Sequence, residues 1–272
     1  EDCKAARNRR LYLYRQKGRT MKDGFIKVAV TAPDSKVADC AYNIEKMIEK
    51  AEELAGRMHL SAEDTDLARL IALLHDIGRF EQLKRYDSFE PGTMDHAAYG
   101  VKVLFDEGMI RRFLPDDKWD SIIYTAIAHH SDYELPEISD PQTLLHAKLI
   151  RDEDKLDNCR VKLVDSTSTF INVSEGELGT QNITQKVYET VFENKCILSA
   201  DRVTQMDYWV SYIVYFFDIN FKESFDIIAE NDYLNRIIDR IPYSNPVTKE
   251  QMENIRVYMQ NFINSHTNSQ SF

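Results

Sequence analysis

Residues 71–79 read Ile71-Ala-Leu-Leu-His75-Asp76-Ile-Gly78-Arg79, and the reading of this stretch decides the fold. Leu67, Leu70, Ile71, Leu74 and Ile77 recur at three- and four-residue steps, the period of one buried helix face. Ser61 with Asp64 three residues on marks the helix start as a capping box, and Gly78 is the expected stop. A histidine and a carboxylate stand side by side at the end of that apolar stripe. Burying a potential charge there is costly unless something pairs with it. Neutral imidazole and carboxylate are both metal ligands, so a metal ion is the simplest partner. The dipeptide alone fits a helix-end histidine beside a solvated aspartate equally well.

Working outward, the chain offers Asp95-His96-Ala97, then His129-His130, then Arg151-Asp-Glu-Asp154-Lys155-Leu-Asp157. Helical phase selects among these. Trp119, Ile123, Ile127 and His130 share one face, which points His130 inward, while His129 lies about 100° around the helix. Ala147, Ile150 and Asp154 also share a face. An inward aspartate at the end of an apolar stripe wants a cation. A metal would serve, and so would an ion pair with Lys155 or Arg151.

The order His-Asp, His, His-His, Asp resembles the HD-domain superfamily of metal-dependent phosphohydrolases, over about residues 55–263. The resemblance implies an all-α HD-domain helical bundle and a metal-dependent phosphohydrolase acting on a phosphate ester, foremost a nucleotide. It implies His75, Asp76 and Asp154 as a first metal set. His96, His130 and His129 would serve a second metal, with Asp76 placed to bridge. The mixed ligands suit one or two divalent transition metals, Fe, Mn, Co, Ni or Zn. Asp76, Arg79 and Lys155 are the expected catalytic residues. Arg79, Lys155 and Arg151 are candidates to hold phosphate, each with an ordinary surface charge as the alternative. His59, His146 and His266 fall outside the motifs, the last in a polar tail. One departure stands out. The family's first metal histidine lies a helix earlier, and that position falls on Asn43. The competing expectation is therefore an HD scaffold that binds metal or nucleotide without turnover.

The amino-terminal part reads differently. Phe25-Ile-Lys-Val-Ala-Val30 favours a strand at about 24–31. Val37, Ala41, Ile44, Ile48, Ala51, Ala55 and Met58 form a helix stripe opened by Pro33-Asp34-Ser35. The fold expectation is thus a helical bundle with an N-terminal strand-helix extension. Residues 21–54 are similar to the opening of the nitrilase-type glutaminase domain of bacterial NAD synthetases. The Glu, Lys and nucleophilic Cys of that activity are not supplied, so no catalytic residue carries over. The segment reads as a graft on an HD domain spanning 55–264. Residues 1–20 hold seven Lys/Arg against Glu1 and Asp2, a basic and dispensable arm with Met21 as a natural start, and 265–272 form the tail.

Composition narrows the function classes. A net charge of −11, concentrated outside the basic arm, argues against nucleic acid as a partner. No apolar run approaches 18 residues, so no membrane span is expected. Four scattered cysteines without a CxxC, and no visible export signal, fit a cytoplasmic protein. The expected partner is a small phosphorylated substrate.

Overall fold

The computed structural model describes residues 43–88 and 92–267 in full, and the backbone at 12–14, 27–29 and 35–42. Two short strands, β1 (Tyr12–Tyr14) and β2 (Lys27–Ala29), pair antiparallel, Leu13 opposite Val28. The expected strand is therefore shorter than 24–31, and its partner comes from inside the basic segment. The rest of that segment, and the tail beyond Thr267, lie outside the described residues.

Thirteen α-helices follow among the described residues. They are α1 (Ser35–Arg57), α2 (Ala62–Leu74), α3 (Ile77–Tyr86), α4 (His96–Val101), α5 (Asp120–Ala128), α6 (Pro141–Val164), α7 (Thr167–Phe170), α8 (Glu175–Leu178), α9 (Gln185–Val191), α10 (Gln205–Ile213), α11 (Lys222–Glu230), α12 (Tyr233–Asp239) and α13 (Pro246–Thr267). The described residues are all-α apart from the two-stranded ribbon. Helix α6 is the central element, packed against α1, α2, α5, α11 and α12. Its start was legible: the Asp140 side chain accepts from Thr143 N at 2.8 Å, with Pro141 at the first helical position. It runs six residues past the expected end near Asn158.

Helix α1 buries Ile44, Met47, Ala51, Leu54 and Ala55 against α2, so the amino-terminal helix is part of the core. The four-residue turn that follows brings α2 back beside it, with His59 in the left-handed region at φ 53°. Ser61 Oγ accepts from Asp64 N at 3.0 Å, the expected cap, which stabilises a helix start by about 1 kcal/mol.

Several boundaries differ from expectation. Gly78 does not stop the His-Asp helix. Helix α2 ends at Leu74, and Gly78 lies inside α3. A Cβ there would fall 2.0 Å from the His96 carbonyl oxygen, so the glycine permits close passage of α3 against α4. The helix expected over 93–107 is α4 followed by a π-helical turn, Lys102–Asp106. The helix expected over 117–130 is Asp120–Ala128, leaving His129 and His130 just past its end. The expected helix 222–241 breaks at Asp232, whose φ is 50°. Residues 160–200, read as a polar excursion, contain α7, α8 and α9. His266 is not in a tail: it ends α13 with its ring stacked on Phe225 at 4.5 Å.

Candidate metal centre

The site forms where three helix ends meet. His75 caps the carboxyl end of α2 and Asp76 opens α3. His96 begins α4, and His130 follows α5. Asp76 has φ −99° and ψ 18°, the bridge region that many active-site residues occupy. The glycine contact between α3 and α4 sets His96 close to Asp76. Arg151, 1% exposed, fixes the end of α5 by donating to the carbonyls of His129 at 2.9 Å and Asp132 at 2.7 Å.

Among the described residues, His75, Asp76 and His130 offer ligand atoms that all lie within 4.8 Å of one another. His75 and His130 are buried. His75 Nδ1 lies 2.8 Å from the Ala72 carbonyl and His130 Nδ1 2.7 Å from that of Ile127. A carbonyl can only accept, so both Nδ1 atoms carry the proton and both Nε2 atoms present lone pairs. His96 Nε2 is 3.1 Å from His130 Nε2 and 3.3 Å from Asp76 Oδ1. His130 Nε2 is 3.6 Å from the same oxygen, a charge contact too long for a hydrogen bond.

The carboxylate of Asp76 dominates the electrostatics of the site. Asp76 Oδ1 is buried without a hydrogen-bond partner. Burial acts to raise the Asp76 carboxyl, yet Arg79 and the nearby imidazoles outweigh it and hold the group well below the usual range. Burial pushes His96 down to about 3. On His130 burial also acts downward, but Asp76 overrides it and the net shift is upward. An orphaned carboxylate oxygen facing converging imidazole nitrogens fits a bound divalent metal.

The remaining predicted residues fall elsewhere. Asp154 is outside the three-residue group. Its Oδ1 accepts from Asn158 Nδ2 at 3.3 Å, although its charge reaches His130. The side chains thus cluster as His75, Asp76 and His130 with His96 alongside, and not in the two sets expected. His129 points away, 34% exposed at its side chain, and pairs with Asp132 at 2.6 Å. Arg79 Nε is 3.4 Å from Asp76 Oδ1, at the mouth of the site. Lys155 is buried with its ammonium 2.6 Å from Asp218, the carboxylate that Arg151 also contacts at 2.5 Å. Arg151 is therefore a clamp on α5 and not a free phosphate ligand. His146, fully buried, sits 3.2 Å from Asp64 at the start of α2.

Asn43 is tied to α6. Its Oδ1 accepts from Arg160 Nη2 at 2.8 Å, and Arg160 Nε is 2.6 Å from Asp157. The charge of His75 reaches Asp157, so this chain of contacts borders the site. Sequence reasoning missed Arg160, Asn158 and Asp218. Asn158 was within reach of it, one turn beyond Asp154 on the same face.

Residues 41–159 match the family model described as HD domain, the region that contains every residue of this centre. That region of the chain is therefore similar to HD domains. The match begins inside the segment read as a graft, at a residue of α1. No curated protein and no solved structure matches the chain. The glutaminase-domain resemblance of residues 21–54 gains no support from these comparisons.

Proposed function

We propose that the protein is a metal-dependent phosphohydrolase that cleaves a phosphate ester, foremost a nucleotide, at the centre built by His75, Asp76, His96 and His130. One observation carries the reading: Asp76 Oδ1 is buried, has no hydrogen-bond partner and is faced by imidazole nitrogens. These residues would hold one or two ions of Fe, Mn, Co, Ni or Zn, with Asp154 as a further ligand. The metal, when bound, polarises a phosphoryl oxygen and lowers the pKa of a bound water. Asp76 fixes the metal, and Arg79 at the rim meets the substrate phosphate. Lys155, anchored by Asp218, holds the Asp154 turn of α6 in place. The free cysteines Cys159 and Cys196 suit a cytoplasmic setting, and no described helix is long and apolar enough to cross a membrane.

The second reading, a scaffold without turnover, draws on Asn43. Arg160 stands against it where the family has a metal-binding histidine, and a guanidinium repels a metal ion. The test is phosphate release from a panel of phosphate esters, nucleotides included, with added Mn, Co, Ni and Fe. Metal-dependent release supports the first reading. Bound metal with no release on any member supports the second.

A further inference from the structure

The face of α6 that carries Asp154 continues past the metal centre. Asn158 and Lys162 follow at four-residue steps, so the three side chains form one ladder. Asn158 Nδ2 donates to Asp154 Oδ1 at 3.3 Å, and its Oδ1 accepts from Lys162 Nζ at 3.4 Å. The Lys162 ammonium is thus one amide group away from Asp154.

Lys162 is 4% exposed, and among the described residues no carboxylate is paired with it. Its Nζ sits 4.1 Å from the Phe170 ring centre and 4.0 Å from that of Tyr212. Arg202 lies close enough for its charge to act on the hydroxyls of Tyr212 and Tyr215. Its guanidinium reaches the Ser199 and Ser211 hydroxyls and lies 4.6 Å over the Tyr208 ring. Among the described residues it too has no ion-pair partner, and its Nε is buried without any hydrogen bond. The neighbouring cations of α6 differ: buried Arg151 and Lys155 share Asp218, and half-buried Arg160 has Asp157.

Two cations without carboxylates are unusual in a chain with 45 acidic against 34 basic residues. Burial is expensive for a charge that lacks a counter-ion. Phe170, Tyr212, Tyr215 and Arg202 nonetheless keep part of their surface in solvent. The charge of Asp154 reaches both Lys162 and Tyr215 on this side and His130 on the other, so these residues and the metal centre share one carboxylate as their border. Burial pulls the Lys162 ammonium down to about 8, against the opposing pull of Asp154.

We infer that Lys162 and Arg202 bind a second anionic group of the substrate, beside the aromatic wall of Phe170, Tyr212 and Tyr215. The substrate class is then a phosphate ester that carries an aromatic ring and a second phosphate, such as a nucleoside bisphosphate. This rests on the phosphohydrolase reading for the scissile phosphate, but the subsite itself needs no metal.

The experiment is calorimetric titration of the full chain in EDTA with adenosine 3′,5′-bisphosphate, with inorganic phosphate and with adenosine. The bisphosphate is expected to bind and adenosine not. Lys162→Met and Arg202→Gln should each weaken the bisphosphate about tenfold or more, the effect of losing one charge-assisted contact. Lys162→Arg and Arg202→Lys should recover part of the loss. Circular dichroism checks the fold, and if Lys162→Met does not fold then Arg202→Gln, at a half-buried position, decides alone. Unchanged bisphosphate affinity in a folded variant overturns the subsite, as does adenosine binding as tightly as the bisphosphate. Bisphosphate binding that needs Lys162 and Arg202, without metal-dependent phosphate release from any ester, leaves the subsite standing and removes the hydrolase reading.

Discussion

Gly78→Ala tests the packing that builds the metal centre, because helix propensity and packing predict opposite signs. Gly78 lies within α3 and outside the left-handed region, so propensity alone favours alanine by about 1 kcal/mol. Packing opposes it. The added Cβ would lie 2.0 Å from the His96 carbonyl oxygen, 2.9 Å from its carbon and 3.1 Å from Gly100 N. The oxygen must retreat by the difference between 2.0 and 3.0 Å merely to reach the closest spacing that real contacts show. All three atoms are backbone, so no rotamer change relieves the clash and α4 must shift as a unit. Overpacking of a well-filled interior costs about 1–3 kcal/mol, and a backbone clash belongs at the upper end. The net is a loss of about 2 kcal/mol, which lowers the melting temperature by roughly 4–8 °C in a chain of this size. His96 moves with α4, so metal retention should fall as well. Thermal unfolding by circular dichroism and metal analysis of the same samples measure both. An unchanged or raised melting temperature would refute the close-passage argument.

Three further outcomes follow from named contacts. His130→Ala should weaken metal affinity by at least about tenfold, the lower bound set by losing even an outer-shell partner, while His129→Ala should change it little. Competition with a fluorescent chelator reads both, and equal losses would contradict the placement of the pair. Asn43→His supplies the imidazole that these metals prefer over an amide oxygen and should raise metal stoichiometry and phosphate release together. No gain in either would mean that Arg160 keeps the position closed. Glu153→Gln probes a carboxyl that is 1% exposed with both oxygens unpartnered, and that burial holds well above 4.5. A carboxyl with a raised folded pKa stabilises the fold below its unfolded pKa, and that contribution is lost as pH rises from 4.5 through the folded value. The variant should therefore gain melting temperature relative to wild type as pH increases from 5 to 8. Parallel curves would sink the assignment.

Much of the helical framework could be read from short-range signals. Ser61, Asp140 and Pro141 mark helix starts with local hydrogen-bond chemistry, and each stands where it was expected. Phase alone separated His130, 4% exposed, from its exposed neighbour His129. Signals that need a partner from afar failed. Gly78 looks like a helix stop from its neighbours, and only the passage of α4 shows why a glycine is needed there. Arg151 and Lys155 look free in sequence because Asp218, more than sixty residues away, neutralises both. Lys162 lies past the expected end of α6 and Arg202 just before α10, so their common nearness to Tyr212 is a product of the tertiary fold. Asp154 has the right phase for the centre, yet its carboxylate is turned along α6 toward Asn158, a choice of rotamer that periodicity does not encode.

The central claim is that Asp76, with the surrounding imidazoles, holds a transition metal. The most direct measurement is metal content of the wild-type protein and of Asp76→Ala, each loaded with Mn, Fe, Co, Ni or Zn, desalted and analysed by mass spectrometry. Asp76 contributes charge to the centre and little to the core, so the variant should keep the wild-type helical spectrum. The account predicts at least one ion per wild-type chain and none in the folded variant. Equal metal in both proteins, or none in the wild type with any of the five ions, would contradict it.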